Sequence, residues 1–196
     1  MGKEKYLKKI EALFDKSSVV DTKSIRRIIG TNSFYEKQVI NKLLRQKKII
    51  RLAKGKYTTR TNPELAVLAF QPGYLGLQDS LSQHGLWEQE TVPVIVTSKK
   101  VRTGMRNIGG MNVLVRRTLN KYMFGIDYMP TGELYLPYSD VEKTLIDIVQ
   151  FREKIGAETI KTIKKRIDLK KLAQYLKHYP NRTRKITERL LEAQRK

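Results

Sequence analysis

Tyr6, Leu7, Ile10, Leu13 and Phe14 recur at helical spacing, which predicts a first helix from about Lys3 to Phe14. Ser17 to Val20 reads as a short connection. Asp21 or Thr22 then caps a second helix whose Ile25, Ile28 and Ile29 face inward, and Gly30 ends it because glycine tolerates the left-handed turn. Ser33 and Glu36 have the S-x-x-E spacing of a capping box and open a third helix. On its wheel Tyr35, Val39, Ile40, Leu43 and Leu44 share one arc, while Lys37, Gln38, Asn41, Lys42 and Arg45 share the other. Ile49–Leu52 reads as a strand, Ala53-Lys54-Gly55-Lys56 as a tight turn and Tyr57–Arg60 as a returning strand. Helices followed by a basic hairpin, in this order, predict a winged helix-turn-helix over residues 1–60.

A polar joint, Thr59-Arg60-Thr61-Asn62, separates this block from the rest, so the expected second domain spans 63–196. Pro63 opens a short helix, Glu64–Phe70, and Gln71-Pro72-Gly73 breaks the pattern. Leu77–His84 reads as a helix ended by Gly85, and the almost wholly apolar Val92–Thr97 as a buried strand. Lys99–Asn107 reads as a basic loop. Strands are expected at Asn112–Arg117, Tyr122–Tyr128 and Glu133–Leu136, and Ser139 with Glu142 has the spacing of a second capping box before a helix Val141–Phe151. Asp168 caps a helix with Leu169, Leu172, Ala173 and Leu176 inward, Pro180 ends it, and a last helix from Thr183 carries Ile186, Leu190 and Leu191 on one stripe. The expected fold class is α+β: the winged helix, then an α/β domain with a small mixed sheet and a helical C-terminal end.

Charge sharpens this picture. The chain of 196 residues has a formal net charge of +21. Residues 1–60 carry 17 basic and 5 acidic side chains, residues 61–150 carry 8 and 9, and residues 151–196 carry 15 and 5. Two basic ends flanking a neutral middle point to polyanion contact at the ends, with double-stranded DNA the expected partner. On the third helix Lys37, Gln38, Asn41, Lys42 and Arg45 are the residue types that read base edges and grip phosphates, and Ser33 at its start joins them. Lys54 and Lys56 flank the hairpin tip, where they would meet the phosphate backbone. In the tail, Lys164, Lys165, Lys170, Lys171, Arg182, Arg184 and Lys185 form a second candidate polyanion contact on a basic helical segment, 151–196.

No run of apolar residues is long enough to span a bilayer, and residues 1–9 lack the apolar stretch of a signal peptide, so a cytoplasmic protein without a membrane partner is expected. The absence of cysteine excludes thiolate chemistry and cysteine-based zinc sites. His84 and His178 lie far apart and no ligand spacing suggests a metal; His84 is expected to satisfy the end of its helix. Asp140, Glu142 and Lys143 suggest a nuclease, but Glu142 is read as a capping residue. No enzymatic activity, cofactor or metal is expected.

Lys54-Gly55-Lys56-Tyr57 is followed by Tyr74-Leu75-Gly76-Leu77, Ser80-Leu81, His84-Gly85-Leu86 and the strand Val92–Thr97. Later come Tyr138-Ser139, Glu142-Lys143-Thr144-Leu145 and Asp147. With these motifs the chain resembles the AbiEi family of antitoxin-type transcriptional regulators from abortive-infection toxin–antitoxin systems. That resemblance implies a repressor that binds inverted repeats in its own promoter, and a C-terminal part that counters a toxin of the nucleotidyltransferase type. Asp79, where a small residue is expected, and the very basic tail depart from the pattern. The residues themselves leave open a stand-alone winged-helix regulator whose C-terminal domain binds another partner or ligand.

Overall fold

The computed structural model describes residues 2–30, 33–89 and 91–192, including their side chains except at 2–5 and 33. The chain divides into two compact units: Met1–Ala69 with Asn107–Asn112, and Phe70–Arg106 with Val113–Lys196. The first thus runs past the polar joint at 59–62 and takes in a 3₁₀ stretch, Pro63–Ala69, in which Leu65, Ala66, Val67 and Ala69 are buried.

In the first unit, helices α1 (Gly2–Lys16), α2 (Thr22–Ile29) and α3 (Ser33–Arg45) accompany strands β1 (Val20–Asp21), β2 (Ile50–Ala53) and β3 (Lys56–Thr58). The strands form an antiparallel sheet of order β1-β3-β2. Residues 20–21, read from sequence as part of a connection and a cap, are therefore an edge strand, pairing Val20 with Tyr57 and Asp21 with Lys56. Asp21 serves both roles: its carboxylate accepts from the Ser24 amide at 2.7 Å and caps α2, and that hydrogen bond holds its pKa below the ordinary value. Gly30 closes α2 at φ 89°. Ile10, Phe14, Ile25, Ile29, Ile40, Leu43, Ile49 and Tyr57 meet in one core, so the apolar stripes read from the helix wheels converge as expected.

The second unit is built on a six-stranded mixed sheet of order β6-β7-β5-β4-β9-β8, of which only the β6–β7 turn and its flanking residues, 107–112, are grouped with the first unit. Its strands are β4 (Gly73–Leu75), β5 (Val94–Thr97), β6 (Gly104–Ile108), β7 (Met111–Arg117), β8 (Ile126–Thr131) and β9 (Leu134–Ser139). β4 runs antiparallel to β5 and parallel to β9, and β5 runs parallel to β7. Helix α4 (Gln78–Gln83) follows β4; α5 (Val141–Phe151), α6 (Ala157–Arg166), α7 (Leu169–Leu176) and α8 (Asn181–Glu192) complete the chain's described part, with α5 packed against the other four.

Several expectations change here. Gly73, read as the end of a break, and Tyr74-Leu75, assigned to no element, form a central strand; three residues between Pro72 and Gly76 carry too little periodicity to register. The basic loop Lys99–Asn107 contains most of β6. Tyr122 ends a 3₁₀ turn instead of opening a strand, and β8 and β9 lie a few residues later than expected. In α7, Leu169 is 59% exposed and Ala173 is exposed, leaving Leu172 and Leu176 as its buried positions; in α8, Ile186 stays 38% exposed while Thr183, Thr187 and Leu191 are buried.

Candidate functional site

Lys37, Gln38, Asn41, Lys42 and Arg45 are all exposed on α3, and Gln38, Asn41, Lys42 and Arg45 surround one shallow hollow together with Gln46. The i, i+3, i+4 spacing of the sequence is what places them on one face. The inner face seats Ile40 and Leu43 in the core. The side chain of Ser33 lies outside the described residues. The capping box read for Ser33 and Glu36 therefore lies outside the described residues, while Glu36 is buried and its Oε2 accepts from Arg26 Nε at 2.5 Å, tying α3 to α2. That pairing raises the Arg26 pKa and neutralises the only acid on α3, so the outward face carries cations and amides without an unpaired acid, with Phe34 exposed at its start.

The β2–β3 turn is anchored. Thr22 N–H donates to the Gly55 carbonyl at 2.9 Å, and Gly55 adopts φ 77° with only 3.1 Å between an added Cβ and Thr22 Oγ1. Lys54 is exposed at this turn. Lys56, expected beside it as a second phosphate contact, instead sends Nζ to the Leu68 carbonyl at 3.1 Å. Sequence could not reveal this, because Leu68 is brought to the strand only by tertiary packing.

In the tail, Lys165, Lys170, Arg182 and Lys185 are exposed and Lys164 and Arg184 half-buried. Lys171 is engaged elsewhere: its Nζ lies 3.0 Å from Asp140 Oδ2 and 3.4 Å from Glu142 Oε2. Its partners raise its pKa, although burial opposes them. The Asp168 cap, which accepts from the Lys170 and Lys171 amides, starts α7 at the turn that aims Lys171 at these acids.

The start of α5 also corrects the second capping box. Asp140, not Ser139, is the cap, accepting from Lys143 N–H at 2.7 Å. Ser139 is still in β9, and its hydroxyl pairs with Thr144 Oγ1. Glu142 does not reach back to the cap; it is buried and accepts from the Asp168 amide at 2.7 Å. His84 Nε2 lies 2.9 Å from the Ser139 carbonyl and so donates to β9, not to the end of its own helix.

Beneath this cap lies a cluster whose members the sequence motifs contain but do not bring together. Lys143 and Asp147 form a fully buried ion pair, with Tyr74 O–H donating to Asp147 Oδ2 at 2.6 Å and Lys143 Nζ donating to the Tyr74 oxygen at 2.7 Å. The ammonium sits 5.1 Å from the Tyr74 ring centroid and 5.9 Å from that of Phe124, within cation–π range. Burial lowers the Lys143 pKa and raises that of Asp147, each opposed by the other's charge. Nearby, Tyr175 donates to Asp140 Oδ2 at 2.8 Å, and burial above all pushes its phenol up to about 12. The i, i+4 spacing of Lys143 and Asp147 was visible in the sequence; that it faces Tyr74 was not. Among the described residues no group of three or more His, Cys, Asp or Glu could hold a metal. No described helix is long and apolar enough to cross a membrane.

No family profile and no curated protein matches this chain. Among solved structures it is similar to the RV2827C protein from Mycobacterium tuberculosis, at 14% identity and a TM-score of 0.63, over 91% of this chain and 72% of that one. At that identity the likeness is one of fold.

Proposed function

We propose that this protein is a DNA-binding transcriptional autorepressor whose first unit acts as a winged helix-turn-helix, and that it also serves as an antitoxin against a nucleotidyltransferase-type toxin. The observation that carries the DNA reading is the outward face of α3, where Gln38, Asn41, Lys42 and Arg45 share one hollow and Lys37 extends it. Placed in a major groove, such a face offers bidentate amide and guanidinium contacts to bases and ammonium contacts to phosphates. Lys54 adds a phosphate contact from the hairpin, and the exposed Lys165, Lys170 and Lys185 add a second cationic surface. The formal charge of +21 favours encounter with any nucleic acid, so sequence preference rests on α3. The antitoxin half rests on the resemblance to AbiEi-type regulators, and a cytoplasmic location follows from the same reading.

The test is selection of bound duplexes from fragments of the source genome by the full chain, followed by co-expression with the gene beside its own. Recovery of an inverted repeat upstream of its own gene, and rescue of cells expressing the neighbour, are the expected results. Operator binding without rescue would favour a stand-alone regulator whose second unit binds another partner. Equal binding to all duplexes would remove the repressor reading.

A further inference from the structure

The second unit holds a groove that shares only Arg182 with the tail residues read as polyanion contacts. It lies between the C-terminal end of α5, α6 and α8, with a volume of about 780 Å³. Val149, Ile155, Ile186 and Leu190 supply apolar side chains to it, and Ile186 is 38% exposed, so the apolar surface is open to a partner. Arg152, Lys154 and Arg182 also line it and are all exposed. The one carboxylate among its described lining residues, Glu153, is paired with Arg116. The mouth therefore presents uncompensated positive charge around an apolar floor.

Arg152 adds a separate observation. It ends α5 in the left-handed region, at φ 57° and ψ 37°, a position that ordinarily takes glycine. The left-handed cap fixes where the Arg152 side chain leaves α5, at the mouth of the groove.

We propose that this groove docks an acidic amphipathic helical segment of a partner protein. Apolar anchors at i, i+3/i+4 and i+7 would enter between α5, α6 and α8, while flanking carboxylates pair with Arg152, Lys154 and Arg182. Phosphate contacts of duplex DNA need cations alone and would leave the isoleucine floor unused. The groove lies wholly in the second unit, so this inference does not depend on the function of α3. Within the antitoxin reading the segment belongs to the toxin.

The experiment uses the full chain and a fluorescent helix-forming peptide with leucine anchors at those spacings and glutamate between them. A scrambled peptide of the same composition and a random DNA duplex are the comparison probes, all at physiological ionic strength. The amphipathic peptide should bind about tenfold more tightly than the scrambled one. Ile186→Asp should abolish that preference. Arg152→Gly should weaken the peptide about fivefold while the melting temperature holds or rises, because glycine relieves the left-handed backbone. This second variant keeps the proposal testable should Ile186→Asp fold poorly. Duplex affinity should stay within twofold for Ile186→Asp. Equal binding of both peptides would reduce the effect to the charge of the chain and overturn the proposal. So would an Arg152→Gly protein with undiminished peptide affinity, or loss of duplex binding by Ile186→Asp, which would assign the groove to nucleic acid.

Discussion

Lys143 and Asp147 pair across one turn of α5 with their side chains 0% and 1% exposed. Neither charge has access to water, so each depends on the other and on Tyr74. Lys143→Met should destabilise the protein by about 3–5 kcal/mol, because it strands the carboxylate in a low-dielectric interior. Lys143→Met combined with Asp147→Leu should cost clearly less than the two single changes added together. Urea unfolding of the four proteins measures this; strict additivity would mean that the pair is not coupled.

The Asp21 cap gives a pH-dependent prediction. Its pKa is lowered, first by the Ser24 amide, from an ordinary 3.8. A depressed acid stabilises the fold fully above its unfolded value and loses that contribution as pH falls through the folded value. Asp21→Ala should therefore cost about 1 kcal/mol at pH 7, and the gap to the parent protein should close in acid below the ordinary carboxylate value. Thermal melts across that range would show a constant gap if the carboxylate does not cap.

On α3, Asn41→Ala and Arg45→Ala should each weaken the specific operator complex by about 1–3 kcal/mol if they read bases. Random duplex should respond much less. Equal losses on both duplexes, measured at one salt concentration, would make these residues phosphate contacts.

Lys54 and Lys56 should behave differently, despite flanking the same glycine. Lys54→Gln should reduce the slope of log affinity against log salt by about 0.9, the share of one phosphate contact. Lys56→Gln should leave the slope nearly unchanged and instead lower thermal stability, since Lys56 serves the Leu68 carbonyl. Salt titrations that give both variants the same slope change would refute the distinction.

The local chemistry of this chain was legible from its residues alone. Apolar spacing located α1, α2 and α3, a capping-box pattern one residue out of place located α5, Asp168 and the Asp21-Thr22 pair announced caps, Gly30 marked a helix end, and the charge distribution singled out α3. These features depend on neighbours within a few positions, where helix geometry is periodic and caps have fixed chemistry. Tertiary structure decided the rest. β4 is a strand only because β5 and β9 flank it. Glu36, Glu142, Lys56 and Lys171 found partners 10, 26, 12 and up to 31 residues away, so a charge that looked available on the wheel was neutralised or diverted. The cap of α5 moved from Ser139 to Asp140 because the sheet kept Ser139 extended. Lys143, a cation in the most neutral stretch of the chain, is fully buried because Tyr74 and Asp147 together satisfy an ammonium that water no longer reaches.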